Sequence, residues 1–350
     1  MMKLKEMIEK YPQTQVWNDS CATDELTYAL EYGATGATTN PVIVLQVLKD
    51  NLSKLEARIR VHCDENPHDS EDEIAWRIIE ELGVNASQYL LPEFEKSKGK
   101  RGRISFQVNA KYYNNTEHIV AHGLKMASLI PNSQIKAPAS AEGIKAFEEL
   151  TYRGVSINAT VSYSVAQAIA VAEAVERGLE RRRIEGLDVS TMSPVCTIMS
   201  GRVDDYLKSY VDKQGLIVNP EILEHAGVEI AKRAYEIYQE RGYTTKILIA
   251  AFRNHYHWSA FIGADMILTI PYKWQVRYNN SNVAIEENIH KHIPQPMLDE
   301  LLTLPDFKKA YEVDGMTVDE FAHFGPFKAT MHQFLSGYDE LVRIIRDIQI

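Results

Sequence analysis

Cysteine is scarce: Cys21, Cys63 and Cys196 are the only three in 350 residues, an odd number without paired spacing. A disulfide-stapled secreted scaffold is thereby excluded, and a reducing cytoplasm is the expected compartment. Long apolar runs are also missing. None approaches the ~18 residues of a membrane span, and Met1-Met2-Lys3-Leu4-Lys5-Glu6 lacks the apolar core of a secretory leader. Positive charge is in deficit, with 38 Lys and Arg against 48 Asp and Glu and a net charge of −10. That balance argues against nucleic acid or an anionic membrane as partner. An acidic chain that binds a small anion must gather a few cations locally. No Gly-rich phosphate loop follows the first strand candidate, which weakens a doubly wound open sheet. No internal repeat or low-complexity linker divides the chain, so residues 1–350 read as one domain.

What is present is an alternation of short β-like and helical segments. Strand candidates fall at 15–18, 36–39, 104–109, 134–138, 155–162, 194–201, 246–252 and 266–271. Helical patterns lie between them: 4–10, 26–32 stopped at Gly33, a run opened by Asn40-Pro41, another near 73–82, then 116–129 and 141–153. Ser164-Val-Ala-Gln167 reads as a capping box for the next helix, and Asn219-Pro220 starts a long one ended by Gly242. Residues 181–193 look like an inserted loop or a helix extension. Eight strands alternating with helices over about 250 residues predict an α/β fold, a (β/α)8 TIM barrel. The barrel is expected over about 14–275, with a helical C-terminal appendage over 276–350. The stripe Phe327, Met331, Phe334, Tyr338, Leu341, Ile345 and Ile348 predicts a last helix packed on the body.

Within this frame one pentapeptide stands out: Gln134-Ile135-Lys136-Ala137-Pro138 puts a lysine inside an apolar strand. Burying an ammonium ion is costly unless it is paired or deprotonated. A neutral amine attacks carbonyls to form a Schiff base, an electron sink for cleaving an adjacent C–C bond. The alternative is a strand-edge lysine that snorkels to water. In a barrel, polar residues at the C-terminal strand ends share one mouth. Here those ends carry Asp19, Asn40, Gln107 with Asn109, Lys136, Asn158 with Thr160, Thr197 to Arg202, and Arg253. Each residue alone is what a strand running into a loop provides, but together they divide into chemical roles. Lys136 forms the imine and Asp19 moves protons. Thr160 and Gln107 hold a water, Asn40 and Asn158 bind hydroxyls, and Arg202 with Arg253 grips an anion.

Ala37-Thr-Thr-Asn-Pro41, Ile135-Lys-Ala-Pro-Ala139 with Glu142-Gly143, Asn158-Ala-Thr160, Gly201-Arg-Val-Asp204 and Ala251-Phe-Arg-Asn254 resemble the transaldolase family in order and separation. The resemblance covers about residues 14 to 275. It implies a class I aldolase barrel with Lys136 as Schiff-base residue, Asp19 as acid/base and Thr160 as water-holding partner. Asn40 and Asn158, with Thr38 and Thr197 beside them, are implied to bind substrate, and Arg202 and Arg253 to clamp a phosphate. Members of the family move a dihydroxyacetone unit from a ketose phosphate to an aldose phosphate without metal or organic cofactor. The implied partners are therefore small sugar phosphates, and a homodimer stays open. Three positions depart from the family pattern. Gln107 stands where classical transaldolases carry glutamate and is similar to fructose-6-phosphate aldolases. Met199 stands where an aromatic is usual, and Ala251 replaces a hydroxyl. Two rivals follow: an aldolase releasing free dihydroxyacetone, and a barrel that binds sugar phosphates without catalysis. His255 with His257, and His290 with His292, have metal-like spacing but no obvious third ligand, so no metal is expected. Cys196 reads as an inert core thiol. Arg181-Arg182-Arg183 reads as a solvated helix end, with an approach to the mouth as the alternative.

Overall fold

Eight short strands close into a ring in the computed structural model, which describes residues 2–350. They are β1 (Gln15–Asn18), β2 (Gly36–Thr38), β3 (Arg103–Gln107), β4 (Ser133–Pro138), β5 (Ile157–Ser162), β6 (Val195–Ile198), β7 (Lys246–Ile249) and β8 (Ile267–Ile270). All pairs are parallel and sequential. β1 closes on β8 through Gln15 opposite Ile267 and Asn18 opposite Ile270. The expected TIM barrel is the observed fold.

Helices with local start signals cover the ring. Asn40 caps the helix Pro41–Asp50, its Oδ1 accepting from the Val42 and Ile43 amides at 2.9 and 3.0 Å. Ser70 and Glu73 close a capping box on Glu71–Lys96, a 26-residue helix where the sequence pattern marks only 73–82. The box expected at Ser164 closes differently. Ser164 accepts from the Gln167 amide, but the Gln167 Oε1 takes the Tyr163 N–H. The Gln167 Nε2 then donates to the carbonyls of Ala139 and Val161 at 3.1 and 3.2 Å. This fully buried amide thereby holds a bulge in β5, where Val161 sits at φ +55° and the register to β6 breaks. A β-branched residue in that region costs roughly 1–3 kcal/mol, and such bulges re-aim side chains beside active sites.

The helix Ser200–Gln214 has no counterpart in the sequence reading, and the long helix expected from Pro220 is two, Pro220–Leu223 and Ala226–Arg241. Residues 181–184 extend the preceding helix, Val165–Ile184. Its triple arginine sits at the helix's far end: Arg181 reaches Glu148 and Glu149, and Arg182 bonds the Tyr152 and Asp188 carbonyls. A helix following a strand runs back toward the strand N-termini, so these cations lie away from the mouth.

Two kinds of residue fill the ring. Trp17, Val195, Leu248, Ala250 and Ile267 form an apolar cluster separate from the main core. Across from it, Thr197 donates to Asn158, Asn158 to Ser105, and Ser105 to Gln134, with lengths of 2.6, 3.0 and 2.9 Å. The last helix, Gly325–Gln349, packs as its stripe predicts, with Phe327, Phe334, Tyr338, Leu341 and Ile345 buried. It lies against Pro41–Asp50 at Gly337 and is tied to Glu71–Lys96 by Tyr338 to Asp72 and Arg346 to Glu71. Its first turns thereby come over the strand C-termini. Between β6 and β7 the approach is closest at Gly201, where an added Cβ would lie 1.9 Å from the Ala251 carbonyl oxygen. Gly201→Ala should therefore destabilise the fold by roughly 1–3 kcal/mol, measured as a lower urea midpoint.

Candidate active site

Lys136 sits near the end of β4, paired in register with Gln107 on β3 and Asn158 on β5. Its side chain is 3% exposed, and the Nζ donates to the Thr39 carbonyl at 3.1 Å. That carbonyl is available because β2 ends at Thr38 and the chain turns into the capped helix. Burial pulls the amine down to about 8. The Asp19 charge works against this shift, and Arg202 adds to it. The snorkelling alternative is thus replaced by an inward-facing lysine.

Asp19 follows β1 and keeps part of its surface open. Burial pushes its carboxyl above the ordinary value, while Lys136, the Thr38 hydroxyl and Arg202 pull it back. Thr38 donates to Asp19 Oδ1 at 2.6 Å, and its single proton being used, it accepts from Thr269 on β8 at 2.6 Å. Thr38 is fully buried and orients the carboxylate.

Asn158 and Thr197 are likewise engaged with the barrel. The Asn158 amide accepts from Thr197 and donates to Ser105, which leaves one N–H uncommitted. Asn40 spends its oxygen on the helix cap and keeps its amino group. Asn109 caps the turn at Lys111. Gln107 is the opposite case: it is 5% exposed, and neither its Oε1 nor its Nε2 has a hydrogen-bond partner. A buried amide without partners is costly unless something transient fills the gap. Thr160 lies two positions beyond Asn158, its hydroxyl 4.0 Å from the Met199 sulfur, which also faces the Tyr163 hydroxyl at 3.4 Å.

The two arginines occupy the β6 and β7 ends. Arg202, in the first turn of Ser200–Gln214, is partly buried, and its guanidinium lies 5.7 Å from the Phe334 ring centroid. Its direct partners are neutral: the Gln333 amide oxygen and the Thr330 hydroxyl, the latter at 3.4 Å. Thr330 also accepts from Tyr163 at 2.5 Å. Arg253 is exposed and pairs with Asp205 at 2.8 Å. Burial lowers the Arg202 pKa, and the Arg253 charge adds to that shift. A cavity of about 330 Å³ opens beside Arg202, bounded by Tyr206, Ser209, Lys213 and the last helix. The sequence reading missed Thr330, Gln333, Tyr163 and Thr269. The first two lie beside the apolar stripe of the last helix, and no sequence pattern ties that helix to the β6 end.

Asp19, Gln107, Lys136, Asn158, Thr160, Thr197 and the two arginines thus share one mouth. The histidine pairs divide: His257 meets Asp204, His255 meets Ser259, and His292 lies between Glu229 and Glu236. Among the described residues no group of three or more His, Cys, Asp or Glu is arranged to hold a metal ion.

Residues 16–320 match the family model described as Transaldolase/Fructose-6-phosphate aldolase. The chain is 31% identical over 233 residues to a transaldolase of Thiobacillus denitrificans, covering 64% of each chain. It is 32% identical over 213 residues to transaldolase 2 of Streptomyces avermitilis, covering 58% of this chain and 55% of the relative. A transaldolase of Kocuria rhizophila is 28% identical over 207 residues, 59% of this chain and 55% of the relative. The chain thus spans about 55–64% of the length of these relatives. With a family match over most of its length, the chain belongs to the transaldolase/fructose-6-phosphate aldolase family.

Proposed function

We propose that this protein moves a dihydroxyacetone unit from a ketose phosphate to an aldose phosphate through an imine on Lys136. The observation that carries this reading is the Lys136 amine, 3% exposed inside a closed barrel and drawn to about 8. About one amine in ten is then uncharged at pH 7. The neutral Nζ adds to the ketose C2 carbonyl, and the carbinolamine takes up a proton and loses water to give the protonated imine. Asp19 takes the C4 hydroxyl proton as the C3–C4 bond breaks. The bonding pair moves into the imine, giving an enamine, and the aldose phosphate departs. A second aldose reverses these steps, taking its hydroxyl proton from Asp19, and water releases the new ketose.

Gln107 and Thr160 hold the water of imine formation and hydrolysis in this scheme, a task suited to an amide with nothing else to bond. Asn40 and Asn158 offer their spare N–H groups to the sugar hydroxyls, and Thr197 holds Asn158 in place. Arg202 and Arg253 receive the phosphate. The activity belongs to the pentose phosphate interconversions of carbohydrate metabolism. We assign it to the cytoplasm as a single-domain barrel with a helical C-terminal appendage. Its cysteines are free, with the Cys21 and Cys196 thiols buried and pushed up to about 12. No helix among the described residues is long and apolar enough to cross a membrane.

Gln107 also favours a second reading, an aldolase that releases free dihydroxyacetone, because an amide cannot take a proton from the hydrolytic water. Product analysis separates the two. Release that needs an aldose acceptor marks the transferase, and release that ignores it marks the aldolase.

Borohydride reduction with fructose 6-phosphate, followed by peptide mass mapping, should modify Lys136. The trapping rate should climb as pH rises through about 8, where the ammonium gives up its proton. A modified peptide without Lys136, or none, would count against the proposal. Asp19→Asn should still trap the imine while turnover falls by roughly 10²–10⁴. Turnover within tenfold of wild type would remove Asp19 from the acid/base role.

A further inference from the structure

Behind the two arginines lies a pair of ionisable side chains that the imine chemistry does not use. His257 and Asp204 are both 0% exposed, with His257 Nε2 2.8 Å from an Asp204 oxygen. The other imidazole nitrogen, Nδ1, accepts the Arg253 backbone N–H at 2.9 Å. That bond fixes the tautomer: the ring proton is on Nε2 and is donated to Asp204 Oδ2. Asp204 Oδ1 accepts from the Gly227 N–H at 2.9 Å, at the start of Ala226–Arg241. Both imidazole nitrogens and both carboxylate oxygens are therefore bonded, and the bonds reach different elements.

The positions of those bonds matter more than their number. Asp204 stands two residues after Arg202 on the helix Ser200–Gln214, and its neighbour Asp205 pairs with the Arg253 guanidinium. Arg253 is thus held twice from the helix that carries Arg202, at its backbone through His257–Asp204 and at its side chain through Asp205. Ala251, two residues before Arg253, sits at φ +66°, a backbone state disfavoured for any residue but glycine. An unaided chain would leave that state and carry Arg253 with it. Packing gives no reason for such a pair, since well-packed apolar residues replace a buried polar pair without loss of stability in many proteins.

We infer that the buried His257–Asp204 pair is a positioning element that sets the separation of Arg202 and Arg253, and thereby selects substrates bearing a terminal tetrahedral oxyanion such as phosphate. This rests on the reading of the two arginines as the anion clamp. A bidentate grip on an oxyanion depends on guanidinium placement, so losing the tie acts on anion affinity and leaves the imine step alone.

Asp204→Asn in the full chain tests this with almost no change of shape. Whichever way the new amide turns, it presents N–H to the Gly227 amide or to His257. A ring that switches tautomer to accommodate it turns a second N–H against Arg253. The affinity for inorganic phosphate, measured by calorimetry, should fall about tenfold, and KM for fructose 6-phosphate should rise by a similar factor. Borohydride trapping of uncharged dihydroxyacetone at Lys136 should stay within about twofold of wild type. His257→Gln, whose amide can accept from Arg253 and donate to Asp204, should keep phosphate affinity within about threefold. Should Asp204→Asn fail to fold, His257→Gln against His257→Leu makes the same comparison. Phosphate affinity unchanged within about twofold in Asp204→Asn overturns the inference. So does an equal loss in His257→Gln, or an equal loss of trapping with dihydroxyacetone. A wild type that traps nothing, yet whose phosphate affinity falls in Asp204→Asn, defeats the proposed reaction and leaves this inference standing.

Discussion

An amine kept from water is the constraint on which the rest of this structure depends. Drawing Lys136 from 10.5 to about 8 means the barrel disfavours its ammonium form by on the order of 3 kcal/mol. The sign of the linkage follows. Below pH 8 the folded chain carries that cost in full. Between 8 and 10.5 the unfolded chain binds a proton that the folded one does not, so stability rises with pH across that window. A closed ring with both faces covered imposes such a cost at every strand, because it has no open edge through which water could reach the ammonium. The apolar cluster around Trp17 fills the ring from one side, and the bonded set from Thr197 to Gln134 fills it from the other. Neither leaves room for bulk solvent beneath the amine.

Opposed fields then hold the site near balance. Asp19 favours the ammonium and Arg202 disfavours it, while the same lysine and arginine favour the Asp19 carboxylate against its burial. A base and a nucleophile placed this way exchange protons without either becoming locked in one state. The Thr269–Thr38–Asp19 chain turns the carboxylate to its task at the cost of two buried hydroxyls, both paired. Gln107 is left with neither end of its buried amide bonded, and it lies beside Lys136.

The strands and the lysine were legible because their signals are local. Alternating apolar runs, proline and asparagine at helix starts, and glycine at Gly33 and Gly242 stay within a few residues of the structure they specify. The helix Ser200–Gln214 was not legible. Met199 supplies no side-chain cap, and its buried face is a narrow Val203, Leu207, Val211 seam among charged residues. The single helix expected from Pro220 breaks at His225 for a similar reason: its apolar period continues across a turn that only the backbone geometry reveals. Site residues divide along the same line. Asp19, Lys136 and the arginines could be named because they fall together at strand ends that a barrel brings to one mouth. That Thr38 and Thr197 brace their neighbours depends on partners on other strands, 231 and 39 residues away.

The last helix adds a long-range contact of the same kind at Arg202. Arg202 carries a charge that burial makes costly, and its partners in the free protein are the Gln333 oxygen and the Thr330 hydroxyl. Neutral acceptors satisfy the guanidinium's hydrogen bonds, and the carboxylates that favour its charge, Asp205 and Asp19, act on it without a direct bond. In the proposed clamp an arriving oxyanion exchanges those bonds for charge-assisted ones, roughly twice as strong, and frees the Gln333 amide to turn its N–H₂ outward. A carboxylate at Gln333 would have met the cation permanently and removed that advantage. Arg253 differs, for Asp205 already meets its charge, and its contribution rests more on geometry than on unmet attraction. In the proposed clamp the pair is unequal: Arg202 has only neutral side chains as direct partners at the β6 end, and Arg253 is held to Asp205 beside it.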